Sequence, residues 1–453
     1  MSKIFENTLS YIIGKTYVVW SFNQYYDKII VRGQKNIPEN EPVIFAPNHL
    51  NALMDALAIL SLPPFRQVKV YLSRADVFNL PKPLVKFIRF TKILPAFRIR
   101  DGYENLVKNK TSFDTADDVL LHNAAICIMP EGDQGTERKI RPLVKGIFRI
   151  AFSAQQKLPE GKSISIIPVG IDLGDFIKFG KHLIINIGNP ISISSYMESY
   201  CENQAVTTNK LKEKLQSDLE NLTLHLNSEK YYECFITAVD LVNKDMLVKL
   251  HLENNTFNLF LARQYTAKIL NHLEKTESDT IEYLDKACKM YKSGMQKIKL
   301  KTLNKKTPSF FDTLVAGFKG IVLTLLALPG IALNIIPFML ASVFPTIMKI
   351  KFKGFYSSVY YVAGIVLFPL FYIFQTCLLI SIFSLPWWSF FILIPGHYYT
   401  GKFSFLLIKE IEPLLNHIRL FWVSKAHFEE VNKLRNLKQQ ISEILLNKTI
   451  QTN

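Results

Sequence analysis

A histidine follows a short apolar run in the segment Val43-Ile44-Phe45-Ala46-Pro47-Asn48-His49-Leu50-Asn51-Ala52-Leu53-Met54-Asp55. The run is typical of a buried strand, Pro47-Asn48 of a turn, and residues 52–62 of a helix that leaves the turn. Reactive groups collect at strand ends in α/β sheets, and Asp55 is placed to orient the imidazole of His49. The segment fits either a His-Asp general base or a histidine that only satisfies a loop, and we favour the base.

The surrounding sequence, from residue 31 to residue 195, alternates between strand-like and helix-like patterns. Short apolar runs predict five strands: Val43–Ala46, Val68–Leu72, Ala125–Met129, Ile164–Val169 and Leu183–Ile187. Longer stretches of helical character separate them. The pattern predicts an α/β domain whose mixed sheet is covered by helices.

Two further segments of this domain suggest anion binding. Arg98 and Arg100 flank one isoleucine in a strand-like stretch, so they share a face on which guanidinium groups can hold a phosphate. Residues 129–136 form a glycine-containing loop after a strand, and several basic residues follow it. A surface strand with solvated arginines and a plain surface turn are the alternative interpretations.

Together these segments resemble the glycerolipid acyltransferase superfamily, the enzymes that acylate glycerol 3-phosphate or lysophosphatidate. The family has four ordered sequence blocks, which lie here within about residues 30–195. Their counterparts are His49 with Asp55, Pro95-Ala96-Phe97-Arg98, Pro130-Glu131-Gly132 and Ile166-Ile167-Pro168-Val169-Gly170.

The chain departs from the family pattern at two places. Five residues separate His49 from Asp55, whereas the common pattern has four. The third block usually continues with Thr-Arg or Thr-Ser, but here it continues with Asp133-Gln134-Gly135. The longer spacing resembles a variant found in some glycerol-3-phosphate and dihydroxyacetone-phosphate acyltransferases.

The resemblance implies a role for each matched residue. His49 would be the general base and Asp55 would fix its tautomer, while Arg98 and Arg100, with the loop of Glu131 and Gly132, would bind the phosphorylated acceptor. The acyl donor would be a thioester, acyl-CoA or acyl carrier protein, with no further cofactor and no metal.

The composition bears on partners and compartment. The chain has 453 residues, 49% of them hydrophobic, and a formal charge of +16. A chain that is both basic and apolar favours an anionic membrane over nucleic acid as partner. The five cysteines are isolated and form no C-x-x-C pair, which predicts neither a zinc site nor disulfides and fits a reducing compartment.

The segments outside the α/β domain are mostly helical in pattern. The pattern of residues 1–30 predicts either an interfacial helix or an ordinary core helix, and does not favour one over the other. The pattern of residues 196–310 predicts a helical domain. Residues 404–453 predict a C-terminal amphipathic helix. Its apolar seam can pack on the chain itself or on a second copy, as a homodimer.

Residues 311–403 predict membrane-embedded segments. Gly354–Gly401 has 48 residues without Asp, Glu, Lys or Arg, enough for two helices of about 20 residues that meet near Trp387. Gly320–Met348 is shorter and contains three prolines, which favours a re-entrant or in-plane segment. Flanking lysines predict that the ends, and with them the catalytic domain, face the cytoplasm.

The sequence as a whole therefore predicts a membrane-bound acyltransferase of phospholipid synthesis. Two alternatives stay open. One is a non-catalytic lysophospholipid-binding or membrane scaffold protein with an acyltransferase-like domain, and the other is an acyltransferase whose acceptor carries no phosphate.

Overall fold

The computed structural model describes residues 4–97, 109–304 and 306–448. The chain forms two compact units, one of Met1–His225 with Ile350–Tyr361, the other of Leu226–Lys349 with Val362–Asn453. Residues 350–361 thus belong with the N-terminal part of the chain, although they are more than a hundred residues beyond it.

A mixed sheet is the framework of the first unit. Among the described residues it has eight strands: β1 (Lys28–Arg32), β2 (Val43–Pro47), β3 (Lys69–Arg74), β4 (Ile93–Ala96), β5 (Ala125–Cys127), β6 (Ser165–Leu173), β7 (His182–Ile187) and β8 (Ile191–Ser192). The strand order is β1-β7-β6-β2-β5-β3-β4, with β8 beside β6. β6 is antiparallel to β7 and β8, and every other pair is parallel. The predicted sheet and its five predicted strands are confirmed. Of the other three, β4 lies in the stretch before Arg98 that the sequence identified as strand-like. β1 and β8 were not predicted, because β1 begins inside the segment assigned to a helix and β8 has only two residues.

Seven helices accompany the sheet within the described residues of this unit: α1 (Leu9–Tyr25), α2 (Ala52–Leu60), α3 (Lys82–Phe90), α4 (Asn109–Leu121), α5 (Gly146–Lys157), α6 (Met197–Glu202) and α7 (Gln204–Leu222). Leu211, Leu215 and Leu219 of α7 recur every four residues and are fully buried in the core with Phe148 of α5. Fully burying one such leucine contributes about 1.5–3 kcal/mol. The sheet domain therefore extends beyond the predicted end at residue 195.

The second unit is helical. Its described helices are α8 (Tyr232–Lys249), α9 (Thr256–Thr276), α10 (Ser278–Lys297), α11 (Phe310–Ile347), the part of α12 (Tyr356–Phe383) from Val362 onward, α13 (Phe390–Ala426) and α14 (Phe428–Leu446). Leu434 of α14 packs with Tyr291 and Met295 of α10. A Cβ on Gly294 would lie 2.6 Å from Leu434 Cδ2, so the glycine makes room for this contact. The predicted C-terminal seam therefore packs on the chain itself.

Two helices of the described chain, α11 and α12, are long and apolar enough to cross a membrane by length and composition alone. The three prolines of residues 320–348 do not break the chain into separate segments as the sequence suggested, because α11 runs through Pro329, Pro337 and Pro345 without interruption. Whether this helix crosses a membrane or lies in its plane stays a prediction. Pro337 lacks the N–H that would bond the Leu333 carbonyl, and Gln375 of α12 donates to that carbonyl instead at 2.8 Å. A side chain of a neighbouring helix thus satisfies a carbonyl that a proline has freed.

α12 and α13 are joined at the tryptophan turn, residues Trp387–Ser389, as the sequence predicted. α13 then continues to Ala426, so the predicted boundary at residue 403 lies inside a helix. The sequence changes there from apolar to charged at Lys402, but the backbone does not change. α13 packs closely on α11, where a Cβ on Gly330 would meet Thr400 O at 2.2 Å.

Candidate active site

β2 ends at the centre of the sheet, and the predicted pair follows it. All five residues of β2 are buried, as expected for a central strand whose sheet is covered on both faces. Asp55 lies on the first turn of α2, and its Oδ2 is 3.0 Å from His49 Nδ1. The structure therefore brings together the two residues that the sequence paired.

Asp55 holds more than the imidazole. Its Oδ2 also accepts the backbone N–H groups of Leu50 at 2.8 Å and Asn51 at 2.7 Å. The carboxylate is fully buried, and among the described residues its Oδ1 has no hydrogen-bond partner. Three donors on one oxygen fix the carboxylate relative to the loop that carries His49.

The ring of His49 is more accessible, with 18% of its side chain exposed. We assign the proton to Nδ1, which faces the carboxylate, and this leaves a lone pair on Nε2. The described part of the chain offers Nε2 no hydrogen-bond partner. An imidazole in this state can accept a proton from a substrate hydroxyl.

Glu131 connects the loop after β5 to the loop after β2. Its Oε1 accepts the backbone N–H of His49 at 2.7 Å, and its Oε2 accepts the backbone N–H and Nε–H of Arg141 at 3.0 and 2.9 Å. The carboxylate is 1% exposed, so both oxygens serve protein groups. β2 and β5 are parallel neighbours, and their carboxyl ends bring these loops to the same edge of the sheet.

Gly132 and Gln134 shape the same loop. Gly132 has φ +69°, a conformation that favours glycine, and a Cβ there would lie 3.0 Å from Val144 Cγ1. Gln134 Oε1 accepts the backbone N–H of Ala52 at 3.1 Å, at the start of α2. The loop therefore supports the histidine segment at two points, through Glu131 and through Gln134.

Asn48, directly before the histidine, anchors the segment to the neighbouring strand β6. Its side chain donates to Ile171 O at 3.1 Å and accepts from Ile171 N at 2.6 Å. Next to Ile171, the buried carboxylate of Asp172 accepts a hydrogen bond from Arg138. These contacts immobilise the backbone on which His49 stands.

Cys127 is the thiol in the strand beside β2. Burial, and then the charge of Asp55, raise the pKa of this thiol, so it stays protonated near neutral pH. A protonated, buried thiol is a poor nucleophile. The arrangement therefore favours direct attack by a substrate hydroxyl over an acyl-cysteine intermediate.

The predicted phosphate ligands Arg98 and Arg100 lie outside the described residues, so their positions stay a prediction. Arg74 and Arg141 are the partly exposed arginines near the described loops, and Arg74 Nη1 lies 3.9 Å from Asp133 Oδ1. The described residues contain no group of three or more His, Cys, Asp or Glu side chains arranged to hold a metal ion.

Sequence reasoning missed several residues that contact the histidine segment. Ser357 and Ser358, in the first turn of α12, hydrogen-bond to Asn51 and to the Leu53 N–H at 2.8 and 3.2 Å. They begin a long apolar run, whose signal is that of a membrane segment. No pattern near them indicates contact with residues about 300 positions earlier.

Comparison with known proteins adds three findings. Residues 28–172 match the family model described as Acyltransferase. Glycerol-3-phosphate O-acyltransferase 1 of Saccharomyces cerevisiae is 25% identical over 140 residues, which are 31% of this chain and 18% of that protein. The crystal structure of the 1-acyl-sn-glycerophosphate (LPA) acyltransferase PlsC from Thermotoga maritima aligns over 46% of this chain and 77% of that one, with 16% identity and a TM-score of 0.32.

Proposed function

We propose that this chain, whose residues 28–172 form a domain of the acyltransferase family, transfers a fatty acyl group from a thioester to glycerol 3-phosphate or its monoacyl form. The observation that carries the proposal is the 3.0 Å pair of His49 and Asp55 at the carboxyl end of β2. The yeast relative, named as a glycerol-3-phosphate O-acyltransferase, supports a glycerol phosphate as acceptor.

The reaction needs a single proton acceptor. Nε2 of His49 takes the proton of the acceptor hydroxyl while the oxygen attacks the thioester carbonyl carbon. The carbon–sulfur bond then breaks, and the imidazolium returns the proton to the thiolate, so the base is regenerated. Asp55 keeps Nδ1 protonated and the ring oriented throughout, which is the role of a carboxylate beside a general base.

Residues around the pair have positioning or binding roles in this proposal. Glu131 braces the His49 backbone rather than contacting substrate, because both of its oxygens are already occupied. Gly132 permits the turn that brings Glu131 into place. Arg98 and Arg100 remain our candidates for the acceptor phosphate, with acyl-CoA or acyl carrier protein as donor.

We also propose that the protein is membrane-bound. α11 and α12 are long and apolar enough to span, and the first unit adds a surface of its own. α3 has no buried residue, and its Leu84 and Phe87 are 50% and 61% exposed. Neither α1 nor α3 contains an acidic residue, and α3 contributes Lys82, Lys86 and Arg89. An apolar, basic helix of this kind suits the surface of an anionic bilayer.

The central experiment compares wild-type protein with His49→Ala in detergent micelles or vesicles. Radiolabelled glycerol 3-phosphate, 1-acylglycerol 3-phosphate and monoacylglycerol are offered separately with acyl-CoA or acyl carrier protein. We expect a phosphorylated acceptor to be converted and His49→Ala to lower kcat by about 10²–10⁴-fold. His272→Ala, at an exposed position of α9, is the matched control and keeps full activity.

Each other outcome points to a named alternative. Wild-type protein that binds lysophospholipid but transfers no acyl group with either donor identifies the non-catalytic scaffold. Conversion of monoacylglycerol alone identifies an acceptor without phosphate. Full activity of His49→Ala contradicts the proposed base.

The cytoplasmic orientation has its own test. Cys201 and Cys377 are both exposed, Cys201 in the first unit and Cys377 within α12, where the proposed bilayer covers it. A membrane-impermeant maleimide should label Cys201 only after intact cells are permeabilised, and Cys201→Ser should abolish that labelling. Labelling of Cys201 in intact cells contradicts the orientation.

A further inference from the structure

The start of α2 is capped by side chains from distant parts of the chain. Met54 N and Asp55 N donate to the Asn51 carbonyl, at 2.8 and 3.3 Å. The two preceding N–H groups have partners outside the helix: Ala52 N donates to Gln134 Oε1 at 3.1 Å, and Leu53 N to Ser358 Oγ at 3.2 Å. A helix start normally receives such acceptors from its own N-cap residue.

Asn51 occupies the N-cap position of α2, but its side chain makes no cap hydrogen bond. Its Oδ1 accepts from Ser357 Oγ at 2.8 Å, and its Nδ2 donates to Phe176 O at 2.8 Å. The side chain is buried in this arrangement. Ser357 thus helps to hold Asn51 away from the helix, and Ser358 supplies an acceptor that Asn51 does not.

Both serines lie in the first turn of α12, one of the two candidate membrane spans, and both are buried. The next turn of α12 is attached to α1, because the Tyr361 hydroxyl donates to Val18 O at 2.8 Å and lies 2.7 Å from Ser21 Oγ. Residues 350–361 belong to the first compact unit by their contacts. The turn is therefore fixed on the unit that contains the His-Asp pair.

The capped turn is the one that carries Asp55. The carboxylate reaches the Leu50 and Asn51 N–H groups and His49 Nδ1 only while this turn keeps its geometry. Ala52, inside the turn, has φ +30°, a region that non-glycine residues rarely adopt and that persists only when the surroundings hold it. The caps on Ala52 and Leu53 are these surroundings.

The two departures from the family pattern meet at this place. The extra residue between His49 and Asp55 lies in the stretch that contains Ala52, and Gln134 stands where the family usually continues with Thr-Arg or Thr-Ser. Gln134 is the residue whose side chain accepts the Ala52 N–H. The donor of this hydrogen bond thus lies in the segment with the longer spacing, and the acceptor lies in the altered loop.

We propose that Ser357 and Ser358, together with Gln134, are positioning residues for the His49–Asp55 pair. The first turn of the apolar helix α12 is then part of the acyltransferase site and not only a membrane anchor. This inference rests on the proposed function.

The test uses the full-length chain and pairs of variants that differ in one acceptor. Ser358→Thr keeps the hydroxyl. Ser358→Val introduces a side chain with nearly the shape of threonine but without the hydroxyl. We expect Ser358→Val to lower kcat by up to about 100-fold, the loss that a misplacement of 1 Å can cause. The KM values for donor and acceptor stay within about twofold, because substrate binding groups are untouched. Ser358→Thr retains most of the wild-type activity.

Gln134 provides a second pair, and an exposed serine provides the control. Gln134→Glu keeps an oxygen acceptor for the Ala52 N–H and retains activity. Gln134→Leu removes the acceptor and lowers kcat. Ser381→Ala, on the exposed part of the same helix, leaves kcat unchanged. In an Asp55→Asn background, Ser358→Val causes no further loss, since both changes act on the same group.

The outcomes separate this inference from the proposed function. Wild-type protein without acyl transfer overturns the function itself. If wild-type protein is active and His49→Ala is not, equal kcat values for Ser358→Thr and Ser358→Val overturn the positioning role. A loss that appears in KM instead of kcat also overturns it. Thermal melting of both variants shows whether each is folded, and the Gln134 pair decides the matter if Ser358→Val does not fold.

Discussion

Two helices of this chain begin in opposite ways. α11 is capped by its own neighbours, because Ser309 Oγ accepts from Asp312 N at 3.1 Å and the Asp312 carboxylate accepts from Ser309 N at 3.4 Å. α2 is capped by Gln134 and Ser358, which lie 82 and 305 residues from their partners in sequence. The first arrangement is local and the second depends on the folded unit around it.

The start of α11 is stabilised by its own neighbouring residues, whereas the start of α2 is stabilised by residues that only the folded unit brings close. A capping box lies within four residues, so a local sequence change alters it and little else. The start of α2 takes its geometry from three distant segments, which contain Gln134, Phe176, and Ser357 with Ser358. Its first turn therefore places Asp55 against His49 only in the folded unit. The turn that carries Asp55 therefore depends on side chains distant in sequence, whereas the start of α11 depends on its own residues.

The largest expected effect comes from changing Asp55, the aspartate in the first turn of α2. Asp55→Asn keeps the shape of the side chain but removes the carboxylate that accepts His49 Nδ1–H, and we expect kcat to fall by about 10²–10⁴-fold. Asp312→Asn, the matched change in α11, should leave kcat unchanged. Acyl transfer assays on both purified variants make the measurement, and equal activities would remove the distinction between the two helix starts.

The next effect tests the loop that braces the histidine. Glu131→Gln has one acceptor oxygen where Glu131 has two, so either His49 N–H or the Arg141 donors lose their partner. An unsatisfied buried donor costs about 1–3 kcal/mol, so the melting temperature and kcat should both fall. Glu198→Gln, at an exposed position of α6, should change neither. A Glu131→Gln protein with wild-type melting and activity would show that the brace is dispensable.

A smaller effect separates backbone strain from crowding in the same loop. Gly132 and Gly161 have φ values of +69° and +82°, but only at Gly132 would an added Cβ meet a close neighbour, Val144 Cγ1 at 3.0 Å. Gly161→Ala should cost about 1–2 kcal/mol from its left-handed backbone conformation alone. Gly132→Ala should cost more and should also lower kcat, because it displaces Glu131. Thermal melts of both variants measure the costs, and a smaller cost at Gly132 would contradict the packing of the loop.

The sequence predicts those parts of the molecule that depend on nearby residues. Five strands follow from runs of aliphatic residues, and the proximity of His49 and Asp55 follows from their spacing in a strand–turn–helix segment. The tryptophan turn between α12 and α13 follows from one Pro-Trp-Trp cluster. In each case the determining interactions lie within about ten residues.

The remaining features depend on contacts that no local pattern indicates. The prolines of α11 suggested a broken segment, but the helix continues through them. At Pro337, Gln375, 42 residues from Leu333, donates to the Leu333 carbonyl that the proline leaves without its helical partner. The brace from Glu131 and the cap from Ser358 join residues 82 and 305 positions apart. The serine pair also lies in an apolar run, whose composition indicates a membrane and hides the contact.

The smallest effect is expected where the cap is local. Ser309→Ala removes the hydroxyl that accepts the Asp312 N–H, which should lower the stability of α11 by about 1 kcal/mol, the usual cost of losing an N-cap. Ser309→Thr should restore it. Neither change should alter kcat, because α11 receives no acceptor from the His49 loop in its cap. Melting and acyl transfer measured on the same samples give both quantities, and a loss of kcat in Ser309→Ala comparable to that in Ser358→Val would mean that a local cap affects the site as strongly as a long-range one does.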